Sequence, residues 1–288
     1  MIKPVKRSQR APGRDIKATI PEPAEQARSR LHSRCGFDQD LALRPAHDLR
    51  DAPWPSGRQW HALPVSTSDL AGAVFFDVDG TLVPGTTSTV FLAGFLGHRE
   101  ELAEAEDAYS AGVLDNRHVS ELDAAGWAGA SEERVRGWLD GLPLVPGIAE
   151  TVAWCWSNGL VPVLATLAWT TVGSYLADRF GFHSFSGPRL ETAGGRFTGR
   201  VARHFDEYDK RDFALAEARE LGLGPRFCGA VGDSRSDLPL FAAVRLSVAF
   251  NATAGAKSAA TVTVDGHDLQ GVLPALSQLI AATESFSS

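Results

Sequence analysis

The chain has 288 residues, 44% hydrophobic and 22% charged, a soluble globular composition long enough for one sizeable core with an inserted element. Its formal net charge of −7 is unevenly divided, with 12 Lys/Arg against 8 Asp/Glu in residues 1–70, net +4, and 16 against 27 in residues 71–288, net −11. So acidic a body excludes general nucleic-acid binding, which needs cations laid along a phosphate backbone.

Residues 1–70 are rich in Arg, Pro, Ser and Asp with little periodic apolar patterning, so they predict a mostly disordered extension that buries too little surface to offset its ordering entropy. Trp54, Trp60 and Leu63 offer a way to dock it, and an arm for a protein partner is the alternative to a solvated tail. The body starts at about residue 71. Ala73-Val74-Phe75-Phe76 predicts a strand covered on both faces, as in a parallel α/β sheet, and it stops abruptly at Asp77 and Asp79. With period-two alternation the two acids point the same way, and Gly80 lets the backbone turn. Like charges that close together need a cation or a shared proton, although Asp and Gly are also ordinary turn residues. A calcium loop counted from Asp77 fails, because Leu82 falls where the turn glycine belongs and Ser88 where the bidentate glutamate belongs.

After this strand, apolar residues at helical spacing, among them Leu92, Phe95, Leu96 and Leu102, predict an inserted helical cap at about 85–143, with helix over about 89–142. Pro146-Gly147 opens a helix through Trp156, and Leu160-Val161-Pro162-Val163-Leu164-Ala165 is a second buried strand. It ends in Thr166, directly before a helix through Tyr175, so that its hydroxyl and the helix's free N–H groups form an anion site or a plain N-cap. A hairpin at 189–199, a helix over about 210–221 and a strand at 227–231 follow. Lys210 alone reads as a surface lysine. The strand ends in Gly232-Asp233-Ser234-Arg235-Ser236-Asp237, where a helix starting at once would put Asp233 and Asp237 on one face; capping accounts for Asp233 or Ser234 but not for Asp237 as well. Strands at 246–250 and 261–264 and a last helix complete an alternation that implies a parallel sheet.

Cys35, Cys155 and Cys228 form neither a close pair nor an even set, which gives no support to a disulfide framework or a zinc site and suggests a reducing cytoplasm. No uninterrupted stretch approaches 18 apolar residues, so neither export nor a membrane span is expected.

Taken in order, Asp77-x-Asp79-x-Thr81, Thr166, Lys210 and Gly232-Asp233 with Asp237 resemble the signature of the haloacid dehalogenase superfamily, and over about residues 72–280 the phosphoserine phosphatase-like branch of it. The resemblance implies an α/β, Rossmann-like parallel sheet with an inserted helical cap. It makes the chain a phosphatase of small phosphate esters, with Asp77 as nucleophile and Asp79 as acid and then base. It also implies magnesium on Asp77, the Asp79 carbonyl and Asp233, phosphate contacts from Thr166 and Lys210, and support from Gly80, Thr81 and Asp237. A phosphomutase or phosphotransferase, or a non-catalytic regulator on the same fold, is the alternative. Departures concern the substrate. Thr86 stands where phosphoserine phosphatases carry the glutamate that holds the amine, and Asp123 falls where they carry an arginine for the carboxylate, with Arg117 near enough in sequence to replace it. Leu167 and Trp169 replace small residues after Thr166. L-Phosphoserine is therefore expected to be a poor substrate.

Overall fold

The structure, a computed structural model, describes residues 70–284. The predicted extension, with Trp54, Trp60 and Leu63, lies outside the described residues. Strand β1 (Gly72–Phe76) is followed by four helices, α1 (Ser88–Leu96), α2 (Arg99–Ser110), α3 (Asn116–Gly126) and α4 (Glu132–Leu139). Then come α5 (Ile148–Ser157), β2 (Leu160–Leu164), α6 (Thr170–Phe180) and the hairpin β3 (Arg189–Ala193) and β4 (Arg196–Arg203). The chain continues through α7 (Glu207–Glu220), β5 (Cys228–Gly232), α8 (Leu238–Phe241), β6 (Leu246–Phe250), α9 (Ala254–Ala259), β7 (Val262–Val264) and α10 (Leu273–Glu284).

Five of the strands form one parallel sheet in the order β2-β1-β5-β6-β7. The sequence predicts this α/β class because β1 has no polar face. Val74 and Phe76 enter one apolar cluster, with Val152 and Leu276 from helices of that side, while Ala73 and Phe75 enter the other with Phe213, Ala214 and Phe241. Each successive residue is buried on the opposite side, so helices must cover both. The order of strands reverses between β1 and β5, where the two chain directions diverge and leave a crevice at the strands' carboxyl ends. Asp77 and Asp233 follow those two strands, and the backbone N–H of Asp77 still donates to Val231 O at 2.9 Å, holding the two ends in register.

Several local expectations are corrected. The helical stretch expected over 89–142 is four separate helices, and the first break is made by Gly97, which caps α1 in the left-handed conformation. The helix expected directly after Thr166 starts at Thr170, with Leu167, Ala168 and Trp169 in a loop. Helix α7 starts three residues before Lys210, because Asp206 and Asp209 form a reciprocal capping box. No α-helix begins at Asp233: a 3-10 turn, Arg235–Asp237, intervenes, and Asp237 folds back to accept from the N–H groups of Asp233 and Ser234 at 2.9 and 3.0 Å. Cys155 and Cys228 are buried free thiols. Among the described residues no helix is long and apolar enough to cross a membrane.

Candidate active site

The loop after β1 is a tight turn wound on one carbonyl, since the N–H groups of Thr81, Leu82 and Val83 all approach Val78 O within 3.3 Å. Gly80 makes the turn at φ +88°, and a Cβ there would lie 2.3 Å from Asp233 Oδ2. Only glycine tolerates both the conformation and the close carboxylate. Thr81, buried below, donates its hydroxyl to Asp233 Oδ1 at 3.3 Å, and the N–H of Ser88 at the first turn of α1 donates to Asp79 Oδ1 at 2.6 Å. The turn thus brings the acids of β1 and β5 together and sets Asp79 against a helix N-terminus.

Behind them sits Lys210, fully buried, with Nζ 2.9 Å from Asp77 Oδ1 and 2.6 Å from Asp237 Oδ1. Lys210 is therefore not at the surface, the position that the isolated lysine suggested. Burial alone would depress the ammonium, but Asp237 and Asp77 outweigh it and hold its pKa above the ordinary value. Burial pushes Asp77 up to about 7, against the opposing pull of Lys210 and with added repulsion from Asp237 and Asp79. Burial also raises Asp79, opposed by the Ser88 N–H, and pushes Asp233 up to about 8, with Asp77 and Asp237 adding to it.

Carboxylate oxygens of Asp77, Asp233 and Asp237 lie within 4.8 Å of one another. Asp237 has already committed one oxygen to Lys210 and the other to two backbone N–H groups. Asp233 has no cation of its own and Asp77 shares Lys210 with Asp237, so the cluster of three acids carries more negative charge than one ammonium offsets, and hard oxygen donors of that kind fit a magnesium ion.

A cavity of about 410 Å³ opens over these acids. It is lined by Asp77, Asp79, Gly80, Thr86, Asp123, Thr166, Leu167, Trp169 and Asp233, so most of the residues singled out in the sequence share it. Thr166 is positioned by Ser186, whose hydroxyl accepts from Thr166 N at 2.9 Å, while Thr166 Oγ1 accepts from Ala168 N at 3.1 Å and keeps its proton for a ligand. Arg117 is not brought in. Its side chain is 61% exposed on α3 and pairs with Glu121 at 3.0 Å. Asp123 does line the cavity, and its carboxylate accepts from His98 Nε2 at 2.7 Å, Trp127 Nε1 at 3.1 Å and Trp169 Nε1 at 2.5 Å. Trp169, expected as apolar wall, is thus also the donor that ties its loop to α3.

Sequence reasoning missed Glu106 and Tyr109, both of which line the cavity from α2. The available signal was spacing: Glu106 lies four residues after the buried Leu102 and so shares its inward face.

The fold and site define a carboxylate-based centre, a parallel sheet between helices with its acids gathered at the reversal of strand order. The family model described as haloacid dehalogenase-like hydrolase matches residues 74–242, and the chain belongs to that family. It is 28% identical over 222 residues to a phosphoserine phosphatase of Albidiferax ferrireducens, covering 75% of this chain and 93% of that protein. It is 29% identical over 222 residues to one of Polaromonas sp., covering 73% and 93%. A solved structure titled a phospho-aspartyl intermediate analogue of phosphoserine phosphatase shares the fold with a TM-score of 0.64 at 22% identity, covering 70% of this chain and 97% of that one.

Proposed function

We propose that this member of the family is a magnesium-dependent phosphatase that hydrolyses a small phosphomonoester through a phosphorylated Asp77. The observation that carries the reading is the buried Lys210 ammonium, 2.9 Å from Asp77 Oδ1, beside an Asp79 whose proton affinity is raised. Membership of a hydrolase family and the likeness to phosphoserine phosphatases support it.

In this reading an Asp77 oxygen attacks phosphorus, the bond from phosphorus to the ester oxygen breaks, and Asp79 gives its proton to the departing alkoxide. Asp79, now a carboxylate, takes a proton from water as that water attacks the aspartyl phosphate. The bond from phosphorus to Asp77 then breaks, and both acids are restored. The raised pKa of Asp79 suits a group that must give up a proton and then recover it. Thr166 and Lys210 would offset charge on the transferring group, and Asp237 orients Lys210. A magnesium ion held by Asp77, Asp233 and the Asp79 carbonyl would neutralise phosphoryl oxygens.

The reading also disfavours phosphoserine as the substrate. No basic side chain lines the cavity among the described residues, and Arg117 stays outside it, so an α-carboxylate would enter an acidic pocket without a partner. Turnover of para-nitrophenyl phosphate is the direct test. It is expected with magnesium, and to fall by about a thousandfold or more in Asp77→Asn, because an amide is a poor nucleophile and also weakens the cation site. Near-normal rates in that variant, or in excess chelator, would remove the mechanism.

A further inference from the structure

The cavity wall is acidic well beyond the groups that chemistry needs. Glu106, Asp107 and Asp123 line it in addition to Asp77, Asp79 and Asp233, and no Lys, Arg or His lines it among the described residues. Basic side chains around it are committed: Lys210 to Asp77 and Asp237, Arg235 to Glu207 at 3.2 Å and to Tyr109 O at 2.6 Å, and His98 to Asp123.

Asp107 is exposed to solvent, and the other two differ in what they have left to offer. Asp123 is almost fully buried and takes three N–H donors, which makes it a strut between α3 and the Trp169 loop. Glu106 is held by the hydroxyls of Thr87 and Thr89, at 2.9 and 2.5 Å. Each hydroxyl has one proton, so at most two of about four acceptor positions on the carboxylate are filled from that side. Tyr109, one turn along α2, adds a buried hydroxyl with no hydrogen-bond partner among the described residues, and it lines the same cavity. A carboxylate with spare acceptor positions beside an unsatisfied hydroxyl is the arrangement that a bound ammonium group with a neighbouring polar atom would complete.

We propose that this pocket selects a phosphomonoester whose alcohol portion carries an amine cation and no carboxylate, with Glu106 as the ammonium's partner. The proposal rests on the phosphomonoesterase reading above and names its substrate class. Phosphate is held at the floor by the Lys210 side, and the amine reaches the wall formed by α2. A carboxylate on the alcohol meets Glu106 and Asp123 with no counter-charge, whereas an ammonium meets them as attraction. Burial pushes Glu106 up to about 7, with the Thr89 hydroxyl opposing and Asp79 adding to the rise, and an adjacent cation would draw it back into the ionised range.

Matched esters test this on the full chain with magnesium. 3-Aminopropyl phosphate, n-butyl phosphate and the phosphate ester of 4-hydroxybutyrate differ only in an ammonium, a methyl or a carboxylate at the same end, and para-nitrophenyl phosphate reports hydrolysis of any kind. The expected order of kcat/KM places the amine at least tenfold above n-butyl phosphate and the carboxylate below it. In Glu106→Gln the ratio of amine to n-butyl kcat/KM is expected to fall at least tenfold, mainly through KM. If n-butyl phosphate equals or exceeds the amine, or if Glu106→Gln depresses both equally, the amine assignment is overturned while the phosphatase reading stands. If no ester is turned over, para-nitrophenyl phosphate included, both fail. The wild-type series decides the matter even where Glu106→Gln does not fold.

Discussion

Lys210 is the residue on which the site's electrostatics turn, because its ammonium is the one buried between Asp77 and Asp237. Removing one partner from a buried charged group costs far more than the pair contributes, since the others stay desolvated and uncompensated. Lys210→Met, measured by denaturant unfolding in chelator, is therefore expected to lose about 3–5 kcal/mol of stability as well as turnover. Adding Asp237→Asn removes one of the stranded charges, so the double variant should be more stable than Lys210→Met alone while remaining inactive. A Lys210→Met protein as stable as the wild type would show that the three groups are not coupled as the distances indicate. The place of Asp77 and Asp79 in the cavity was legible in the sequence, since an apolar run that stops at two acids puts them at a strand's carboxyl end. Lys210 was legible only through the ordered set of motifs, because its neighbours Asp209 and Arg211 by themselves give it the look of a solvated helix start.

At the scale of elements, the position of the α1–α4 segment over the sheet's carboxyl ends depends on the β3–β4 hairpin. The loop after α3 is joined to β4 by Gly129 N donating to Phe197 O at 2.9 Å and Phe197 N donating to Ala130 O at 3.0 Å. Trp127 packs edge-to-face on Phe197, with ring centroids 4.9 Å apart, and its indole N–H reaches Asp123 in the cavity wall. Truncating a buried phenylalanine removes its transfer free energy and leaves a void, so Phe197→Ala should lower stability by about 3–4 kcal/mol. Because the void lies beside Trp127, kcat/KM for esters should drop too, with KM rising more than kcat falls. Thermal and denaturant unfolding together with steady-state kinetics check this; unchanged KM would mean that the hairpin does not position the wall. The sequence disclosed the hairpin through Gly194-Gly195, both with positive φ, but not its second contact, which joins residues about 70 positions apart.

For the whole molecule, the acids at the reversal of strand order link folding to pH. Asp77 at about 7 and Asp233 at about 8 lie above the ordinary value of 3.8, so without a cation the folded protein binds more protons than the unfolded chain between about pH 4 and pH 8. The stability these groups contribute is complete below pH 4 and declines as pH rises through the folded values. Metal-free protein should accordingly melt at a lower temperature at pH 8 than at pH 6. Magnesium, which competes with those protons, should raise the midpoint more at pH 8; at a hundredfold excess over its Kd the added stability is about 2.7 kcal/mol. Scanning calorimetry at both pH values tests it, and equal shifts would show that the cation does not engage these carboxylates. By itself the sequence determined the α/β alternation, the doubly covered β1 and the place of Asp77, Asp79 and Asp233 at strand ends, because burial of both sheet faces and the carboxyl-end rule are properties of local pattern. Tertiary structure alone decided that Lys210 is buried, that Arg117 is outside and that Glu106 is inside. Each of those follows from which face of a helix meets a distant element, a choice fixed by packing energy summed over the whole core and carried by no local stretch of residues.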